Sequence, residues 1–503
     1  MTGARWPLLY QINTRIWLYE LGATLGRPAT LEDVPDTALD AIAADGFGWV
    51  WLLGVWQTGE VGPRISRELA ELQPEYRELL PDFTLDDVGG SPFAVQDYVV
   101  NRDFGGPKAL ERIRKRLADR GIQLMLDFVP NHTAIDHPWA YEHPEFYVHG
   151  TDADLAREPT SYVRIDTRLG PRVLAHGRDP YFPGWSDTLQ VNYRHAGFRA
   201  AMLAVLEGIA GQCDGVRCDM AMLLLPDVIA RTWGDRARPA DGSAAVDEPF
   251  WPAAIARVRQ RRADFLFMAE VYWDLEWALQ QQGFDYTYDK RFYDHLRQQD
   301  GAAVRGHLLA DPEYQRRSAR FLENHDEPRA TAAFPPAVHR AAAIVALLAP
   351  GLRFLHEGQL AGRRVRASNH LRRRAPEPVD SELAAFYARV LACLRRPEAR
   401  DGDWRLLDVA PAWEGNPTWQ RFMAFSWSSP SGQLLVAVNY GPTQGQCYAR
   451  MPVDQSAGRT IVLRDLISST TTYERDGDDL AGHGLYLDLP AWGHHVFEVS
   501  TAP

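Results

Sequence analysis

Short apolar runs alternate with amphipathic helical stretches from the start of the chain to about Arg400. Apolar runs bounded by turn residues predict buried strands of a parallel sheet, and amphipathic stretches predict helices packed against it. The predicted strands are Leu8–Trp17, Phe47–Val55, Gln123–Val129, Gly215–Asp219, Phe265–Val271, Phe284–Tyr288, Arg320–Asn324 and Leu352–His356. The predicted helices include Thr37–Asp45, Pro107–Arg120, Phe198–Gly211, Pro252–Arg262 and Val338–Leu348.

Eight strands with helices between them favour a closed (β/α)8 TIM barrel over an open α/β sheet. Two connections are too long for simple turns, from about Trp56 to Phe104 and from about Pro130 to His195. The second is long enough to predict a small inserted domain after strand 3. Beyond residue 400, alternating runs such as GQLLVAVNY predict a C-terminal antiparallel β-sandwich domain. We therefore predict a barrel over 1–130 and 196–400, an inserted domain over 131–195 and a sandwich over 401–503.

Composition argues against two classes of partner, nucleic acids and membranes. A net charge of −12 argues against nucleic acid, and no apolar run approaches the roughly 20 residues that a membrane span needs. The first residues lack the basic and apolar regions of a signal peptide. Four cysteines without a CxxC pair predict reduced core thiols and no disulfide framework. We expect a cytoplasmic protein; the sequence leaves its oligomeric state open.

Polar clusters follow four of the predicted strands: LMLDFVPNH, GVRCD, FLFMAEVYW and FLENHD. Catalytic groups of such barrels stand at the carboxyl ends of the strands. Arg217 and Asp219 share one face of their strand, so the arginine would keep the carboxylate ionised and nucleophilic. Glu270 ends an apolar strand, where burial raises its pKa and suits a general acid. Two carboxylates on facing strands match glycoside hydrolysis.

Each such residue, taken alone, has an ordinary explanation as a helix cap, an ion-pair partner or turn chemistry. Their occurrence in order on successive strands is harder to explain in that way. Aromatic residues near the strand ends are candidates for stacking on sugar rings: Trp51, Trp56, Phe93, Tyr98, Trp139, Trp185, Tyr272 and Trp273. Together these features predict a small-molecule carbohydrate as the partner.

The clusters resemble the four conserved regions of the α-amylase family, glycoside hydrolase family 13. DFVPNH (127–132), GVRCD (215–219), AEVYW (269–273) and FLENHD (321–326) match them in order. GSPFAVQDY (90–98) resembles the sugar-platform segment of that family, and GWSDTLQVNY (184–193) a motif at the end of its inserted domain. The resemblance covers most of the chain.

The resemblance implies three catalytic carboxylates. Asp219 would be the nucleophile, Glu270 the acid/base and Asp326 the carboxylate that grips ring hydroxyls. Arg217 would pair with Asp219, and Asp127 would support Arg217.

The resemblance also implies roles in substrate binding. His132 and His325 would bind sugar hydroxyls, and Phe93, Tyr272 and Trp273 complete the predicted binding set. No cofactor is required for this chemistry.

Two departures from the family pattern bear on substrate and metal. Phe93 stands where the family usually has Tyr, so stacking is kept and a hydroxyl contact is lost. Asn131 occupies a position that binds structural calcium in many relatives. Met220 and Ala221 begin a segment that lacks the usual Lys-His pair, which removes one calcium contact and weakens the case for an endo-acting starch enzyme.

The loop after the last barrel strand is strongly basic, with GRRVR at 362–366 and RRR at 372–374. One hypothesis is recognition of a phosphate or carboxylate on the substrate. The other, which we favour, is ion pairing with nearby acids, Glu377 and Asp380 among them.

The sequence favours a retaining hydrolase of short α-glucosides. A transferase or isomerase using the same covalent intermediate is the alternative. A phosphorylase is a further option, and the three carboxylates argue against a non-catalytic relative.

Overall fold

The computed structural model describes residues 3–451, 458–468 and 471–502. Eight parallel strands close into a barrel in chain order, and the eighth strand pairs with the first. The strands are β1 (Leu8–Asn13), β2 (Trp49–Leu53), β3 (Gln123–Phe128), β4 (Gly215–Cys218), β5 (Leu266–Ala269), β6 (Tyr286–Tyr288), β7 (Ser318–Arg320) and β8 (Leu352–His356). The predicted fold class is confirmed.

Helices surround the barrel. The helix Gly106–Ala118 shows why they form: Ala109, Leu110, Ile113 and Leu117 recur at helical spacing and are buried. All five predicted helices exist, with ends displaced by at most three residues. The helices of the barrel are Thr14–Leu25, Asp36–Ala44, Gly106–Ala118, Ala196–Gln212, Pro226–Trp233, Phe250–Arg259, Glu276–Gln281, Lys290–Arg297, Gly301–Leu308, Pro312–Arg316, Ala330–Ala333, Pro336–Leu348, Ser381–Leu394 and Pro397–Asp401.

The first predicted strand was too long. It ends at Asn13 because the Asn13 side chain accepts a hydrogen bond from the Ile16 amide at 3.2 Å and caps a helix there. The residues from Thr14 to Trp17 are therefore helical. The predicted seventh strand was displaced, since β7 ends at Arg320. Beyond it the chain turns, and Asn324 Oδ1 accepts hydrogen bonds from two following amides.

The connection after β2 is more ordered than the sequence indicated. It contains an antiparallel strand pair, Trp56–Thr58 with Val95–Val100, and two helices, Val61–Glu68 and Gln73–Leu79. We call residues 59–90 the helical insert. Its buried side chains Tyr76, Leu80 and Val88 pack against Leu371 in the loop after β8, so these two connections form one wall above the barrel.

The connection after β3 is a small folded unit. His132–Ala134 pairs with Thr188–Gln190, and Tyr162–Ile165 pairs with Arg172–Ala175. Helices Pro138–Glu142 and Asp152–Arg157 lie between these pairs. The predicted limits of the inserted domain stay a prediction.

The described residues from 403 onward form two antiparallel sheets, of six and three strands, that share a buried apolar cluster including Phe422, Leu435, Cys447 and Leu487. In the six-stranded sheet the order is Asp403–Leu406, Phe422–Ser429, Gly432–Asn439, His494–Thr501, Thr460–Asp465 and Thr472–Asp476. The smaller sheet contains Val409–Pro411, Gly445–Ala449 and Leu485–Leu489, and a helix spans Gly477–His483. The four cysteines are buried and free.

No helix in the described ranges is both long and apolar enough to cross a membrane.

Candidate active site

A cavity of about 540 Å³ opens at the carboxyl ends of the barrel strands. Asp219 follows β4, Glu270 follows β5 and Asp326 lies in the turn after β7, and all three line this cavity. The strand ladder fixes two of them, because the Asp219 amide donates to Phe128 O at 2.8 Å and the Glu270 amide to Cys218 O at 3.0 Å. The structure thus brings the three predicted carboxylates together.

Arg217 on β4 lies beneath the cavity and is fully buried. Its Nη1 is 2.7 Å from Asp219 Oδ1, and its Nη2 is 2.7 Å from Glu270 Oε2. The rings of Trp51 and Phe93 flank the guanidinium at 5.2 Å and 5.1 Å. One planar fork therefore holds both carboxylates in a fixed relation.

The surroundings of Asp219 suit a nucleophile. Burial raises the pKa of its carboxyl, and the Arg217 guanidinium opposes that rise. Because Oδ1 accepts a hydrogen bond from Arg217, the other oxygen is the one left to attack.

The surroundings of Glu270 suit a proton donor. Oε2 accepts from Arg217 and from the Met220 amide at 2.8 Å, whereas Oε1 contacts the Tyr272 hydroxyl at 2.8 Å. Burial raises the pKa of Glu270 to about 7; the charges of Asp219 and Asp326 add to the rise, and Arg217 opposes it. Because two N–H groups occupy Oε2, the transferable proton belongs on Oε1.

Asp326 differs from the other two carboxylates in having a lowered pKa. Burial would raise its pKa, but His325, Arg217 and Arg366 together lower the pKa of Asp326 to about 2. Gln11 Nε2 lies 2.7 Å from His325 Nδ1 and orients the ring, so that the other ring nitrogen, Nε2, faces Asp326. That nitrogen is 3.0 Å from Asp326 Oδ2.

His132 and Phe93 also line the cavity, as predicted. Burial lowers the pKa of His132 to about 4, so its imidazole is neutral at pH 7 and can both donate and accept. Its ring packs edge-on against Trp185 at 5.1 Å. The Phe93 ring lies 5.4 Å from that of His325.

Asp127 lies below the cavity. It accepts hydrogen bonds from Trp51 Nε1 at 3.1 Å and from the Gly54 amide at 2.7 Å, and it is 3.8 Å from Arg217 Nη1. This geometry makes it a support for the site, since the substrate cannot reach it. Tyr272 is part of the cavity wall, and Trp273 stands outside it, edge-on to Tyr181.

The surroundings of Asn131 do not fit a calcium ion. Asn131 O, Asn131 Oδ1 and Val191 O all accept from Gln190 Nε2, at 2.9, 3.1 and 3.1 Å. The amide group thus occupies the point where the oxygens converge. In the part of the chain that the structure describes, no group of three or more His, Cys, Asp or Glu side chains is placed to hold a metal.

The arginines of the basic loop form ion pairs, as the interpretation we favoured requires. Their carboxylate partners differ from the expected Glu377 and Asp380. Arg366 pairs with Glu75 of the helical insert, and Arg373 pairs with Asp82 of the insert at 2.9 Å. Glu377 instead accepts hydrogen bonds from backbone amides of the loop. The basic loop therefore fastens the insert over the cavity.

Several wall residues were missed by sequence reasoning: Ser66, Glu71, Glu75, Asp187, Asn369 and His370. They come from long connections whose folding depends on distant contacts, such as Ser66 Oγ with His370 Nδ1 at 3.0 Å. Gln11 could have been recognised from the sequence, because it is a polar residue inside the apolar strand LLYQIN.

Comparison with known proteins bears on the family of the chain. The family model described as the α-amylase catalytic domain matches residues 86–371, more than half of the chain. An α-amylase (MalA) of Haloarcula japonica is 26% identical over 356 residues, which cover 68% of this chain and 46% of that protein. The chain thus corresponds to about half the length of this relative.

Two further similarities bear on fold and reaction. A maltogenic α-amylase (AmyB) structure from Thermotoga neapolitana superposes with a TM-score of 0.66 at 16% identity, covering 98% of each chain. An α-1,4-glucan:maltose-1-phosphate maltosyltransferase of Salinibacter ruber is 26% identical over 177 residues, 32% of this chain and 24% of that protein.

Proposed function

This chain belongs to the α-amylase family, whose members act on glycosidic bonds, and we propose that it is a retaining hydrolase of short α-glucosides. One observation carries the proposal. The guanidinium of Arg217 holds Asp219 and Glu270 together beneath a cavity that Asp326 also lines. Because one guanidinium binds both carboxylates, we expect the distance between the two carboxyl groups to be about 5–5.5 Å, that of retaining enzymes, and not the wider spacing of inverting enzymes.

In the proposed mechanism the free oxygen of Asp219 attacks the anomeric carbon. Glu270 passes its proton from Oε1 to the glycosidic oxygen as that bond breaks. Asp326, beside His325, accepts hydrogen bonds from the ring hydroxyls, which favours the oxocarbenium-like transition state. Glu270, now ionised, takes a proton from water, and the water oxygen displaces Asp219 with net retention.

The shape of the cavity supports a short substrate. Its volume of about 540 Å³ is typical of a small-molecule pocket. The helical insert closes one side and is fastened there by Arg366 with Glu75 and by Arg373 with Asp82. We propose that this wall blocks a long glucan from passing through the site.

The charge of the cavity supports a neutral substrate. Arg366 is the single guanidinium in its described lining, and it is already paired with Glu75. Burial lowers the pKa of both His132 and His370 to about 4, so neither carries charge at pH 7. The carboxylates in the wall are Glu71, Glu75, Asp187, Asp219, Glu270 and Asp326. A phosphorylated glycoside would be repelled.

Glycosyl transfer is the second candidate. The similarity to a maltosyltransferase favours it, and the same covalent intermediate would be released to a sugar hydroxyl in place of water.

The product profile tests both candidates. We expect incubation with maltose or maltotriose to release glucose as the α anomer, and Asp219→Ala to abolish turnover with the fold retained. Longer or rearranged oligosaccharides would indicate transfer, and a β anomer formed first would contradict the proposal. A panel of α-linked disaccharides that includes sucrose and trehalose would identify the linkage.

A further inference from the structure

A second cavity, of about 340 Å³, opens on the face of the barrel opposite the active site; we call it the basal cavity. Part of its lining comes from the segments that precede three barrel strands: Trp6 before β1, Asp285 before β6 and Arg317 before β7. The active-site carboxylates follow the carboxyl ends of the strands, so the basal cavity takes no part in their chemistry. Its volume lies within the range of about 300–1,000 Å³ that is typical of small-molecule sites.

The lining of the basal cavity is basic. Four arginines and a single acidic residue contribute to it: Arg5, Arg259, Arg316, Arg317 and Asp285. The carboxylate is already engaged, since both oxygens of Asp285 accept hydrogen bonds from Arg259 Nη2 at 2.7 Å. Because the whole chain has a net charge of −12, this local excess of positive charge departs from the rest of the protein and attracts anions.

The three other arginines of the lining are available to an anion. Arg5 pairs with Asp403 at 2.6 Å and Arg317 pairs with Glu313 at 2.8 Å, but the two carboxylate side chains are 78% and 48% exposed. Ion pairs with such exposed groups contribute little, so both arginines can turn to a ligand at small cost. Within the described chain Arg316 forms no ion pair.

A buried cation lies behind the wall of the basal cavity. Arg353 on β8 is buried, and its Nη1 donates to Trp6 O at 2.6 Å and its Nη2 to Ala399 O at 2.8 Å. Its Nε has no hydrogen-bond partner, and no carboxylate of the described residues forms an ion pair with it. Burial lowers the pKa of Arg353 to about 9, so the group is still charged at pH 7. An unpaired buried charge is costly, and an anion bound near Trp6 would offset part of that cost.

We propose that the basal cavity binds the phosphate group of a small molecule, a function separate from the cleavage of glycosides. Guanidinium groups donate two parallel hydrogen bonds to a phosphate, which makes arginine the favoured residue for recognising this group. Arg316 and Arg317 follow each other directly before β7, and Arg5 approaches the same cavity from the segment before β1. A phosphate held by these groups would stabilise the folded barrel without competing with a sugar in the active site.

Isothermal titration calorimetry of the full chain with inorganic phosphate, at constant ionic strength, tests the proposal. We expect one phosphate per chain with a Kd below about 1 mM. Arg316→Gln and Arg317→Gln should each raise this Kd at least about 10-fold, because each removes a charge-assisted contact. Arg389→Gln is the matched control, since Arg389 is also an exposed arginine without an ion pair in the described chain, and its Kd should equal that of the parent.

Glucose 6-phosphate distinguishes two sources of the phosphate group. A Kd at least about 10-fold below that of inorganic phosphate would show that the cavity also contacts the sugar, and equal values would show that the free anion is the ligand. Either result supports the site, provided that the two arginine variants weaken the binding.

Two results would overturn the proposal. One is a parent protein without saturable phosphate binding, and the other is binding that Arg316→Gln and Arg317→Gln leave unchanged. Melting temperatures equal to that of the parent, measured without phosphate, would show that the variants are folded. Because the experiment measures binding and not turnover, its outcome is independent of the proposed function.

Discussion

Replacing Arg217 should disable the site by changing the ionisation of its carboxylates. Arg217→Met keeps an unbranched side chain and removes the cation that contacts Asp219 and Glu270, each at 2.7 Å. Burial already raises the pKa of Asp219, and Arg217 is the first group opposing that rise. Without it Asp219 takes up a proton and can no longer attack.

The magnitude follows from the burial of this contact. Removing one partner of a buried ion pair costs about 3–5 kcal/mol, and we expect it here as the free energy needed to keep Asp219 ionised. At 1.36 kcal/mol per tenfold change, this corresponds to a loss of about 10²- to 10⁴-fold in kcat/KM at pH 7. Arg217→Lys restores a charge but not the planar fork, because an ammonium group cannot reach two carboxylates with the same geometry. Its activity should fall between that of Arg217→Met and that of the parent.

The assay is turnover of α-glucosyl fluoride, with the melting temperature recorded for each variant. Arg102→Met, a change at an exposed arginine, is the matched control. Activity of a folded Arg217→Met enzyme within about 10-fold of the parent would refute the reasoning, since Asp219 would then remain ionised without its cation.

Three further predictions concern pH, metal and charge. The value of kcat/KM should fall above about pH 7, because Glu270, with a pKa of about 7, must carry the proton that it donates. It should also fall at low pH, as Asp219 becomes protonated. A rate that keeps rising well above about pH 8 would contradict the assignment. Chelator should leave the melting temperature unchanged, and a chelator-sensitive parent would contradict this account. Gln190→Leu, which removes the donor shared by Asn131 O, Asn131 Oδ1 and Val191 O, should lower stability by about 1–3 kcal/mol. The kcat/KM for maltose should be at least about 10-fold higher than that for a phosphorylated maltose. A higher kcat/KM for the phosphorylated substrate would support the hypothesis that the loop carrying Arg366 binds an anion.

Local sequence patterns were sufficient for the barrel and its carboxylates. Strand ends in a (β/α)8 barrel converge on one face, so Asp219 and Glu270 could be placed together from their strands alone. Where a side chain redirects the backbone, the pattern misleads. Asn13 caps a helix in the middle of an apolar run, so the first strand was predicted too long.

Contacts between distant segments limited the rest of the prediction. The partners of the basic loop, such as Asp82 for Arg373, lie nearly three hundred residues away in a connection whose helices the sequence did not indicate. The contact between the Gln190 amide and Asn131 likewise depends on how the inserted domain folds, so the sequence did not predict it. Neither arrangement produces a recognisable pattern in the neighbouring sequence.

Trapping the covalent intermediate tests the central claim most directly. A fluorinated α-glucosyl fluoride that reacts faster than its intermediate is hydrolysed should leave one sugar on the enzyme, and peptide mapping should place it on Asp219. The Asp219→Ala enzyme should remain unlabelled. A sugar attached to any other residue, or a fully active enzyme that never becomes labelled, would contradict the account.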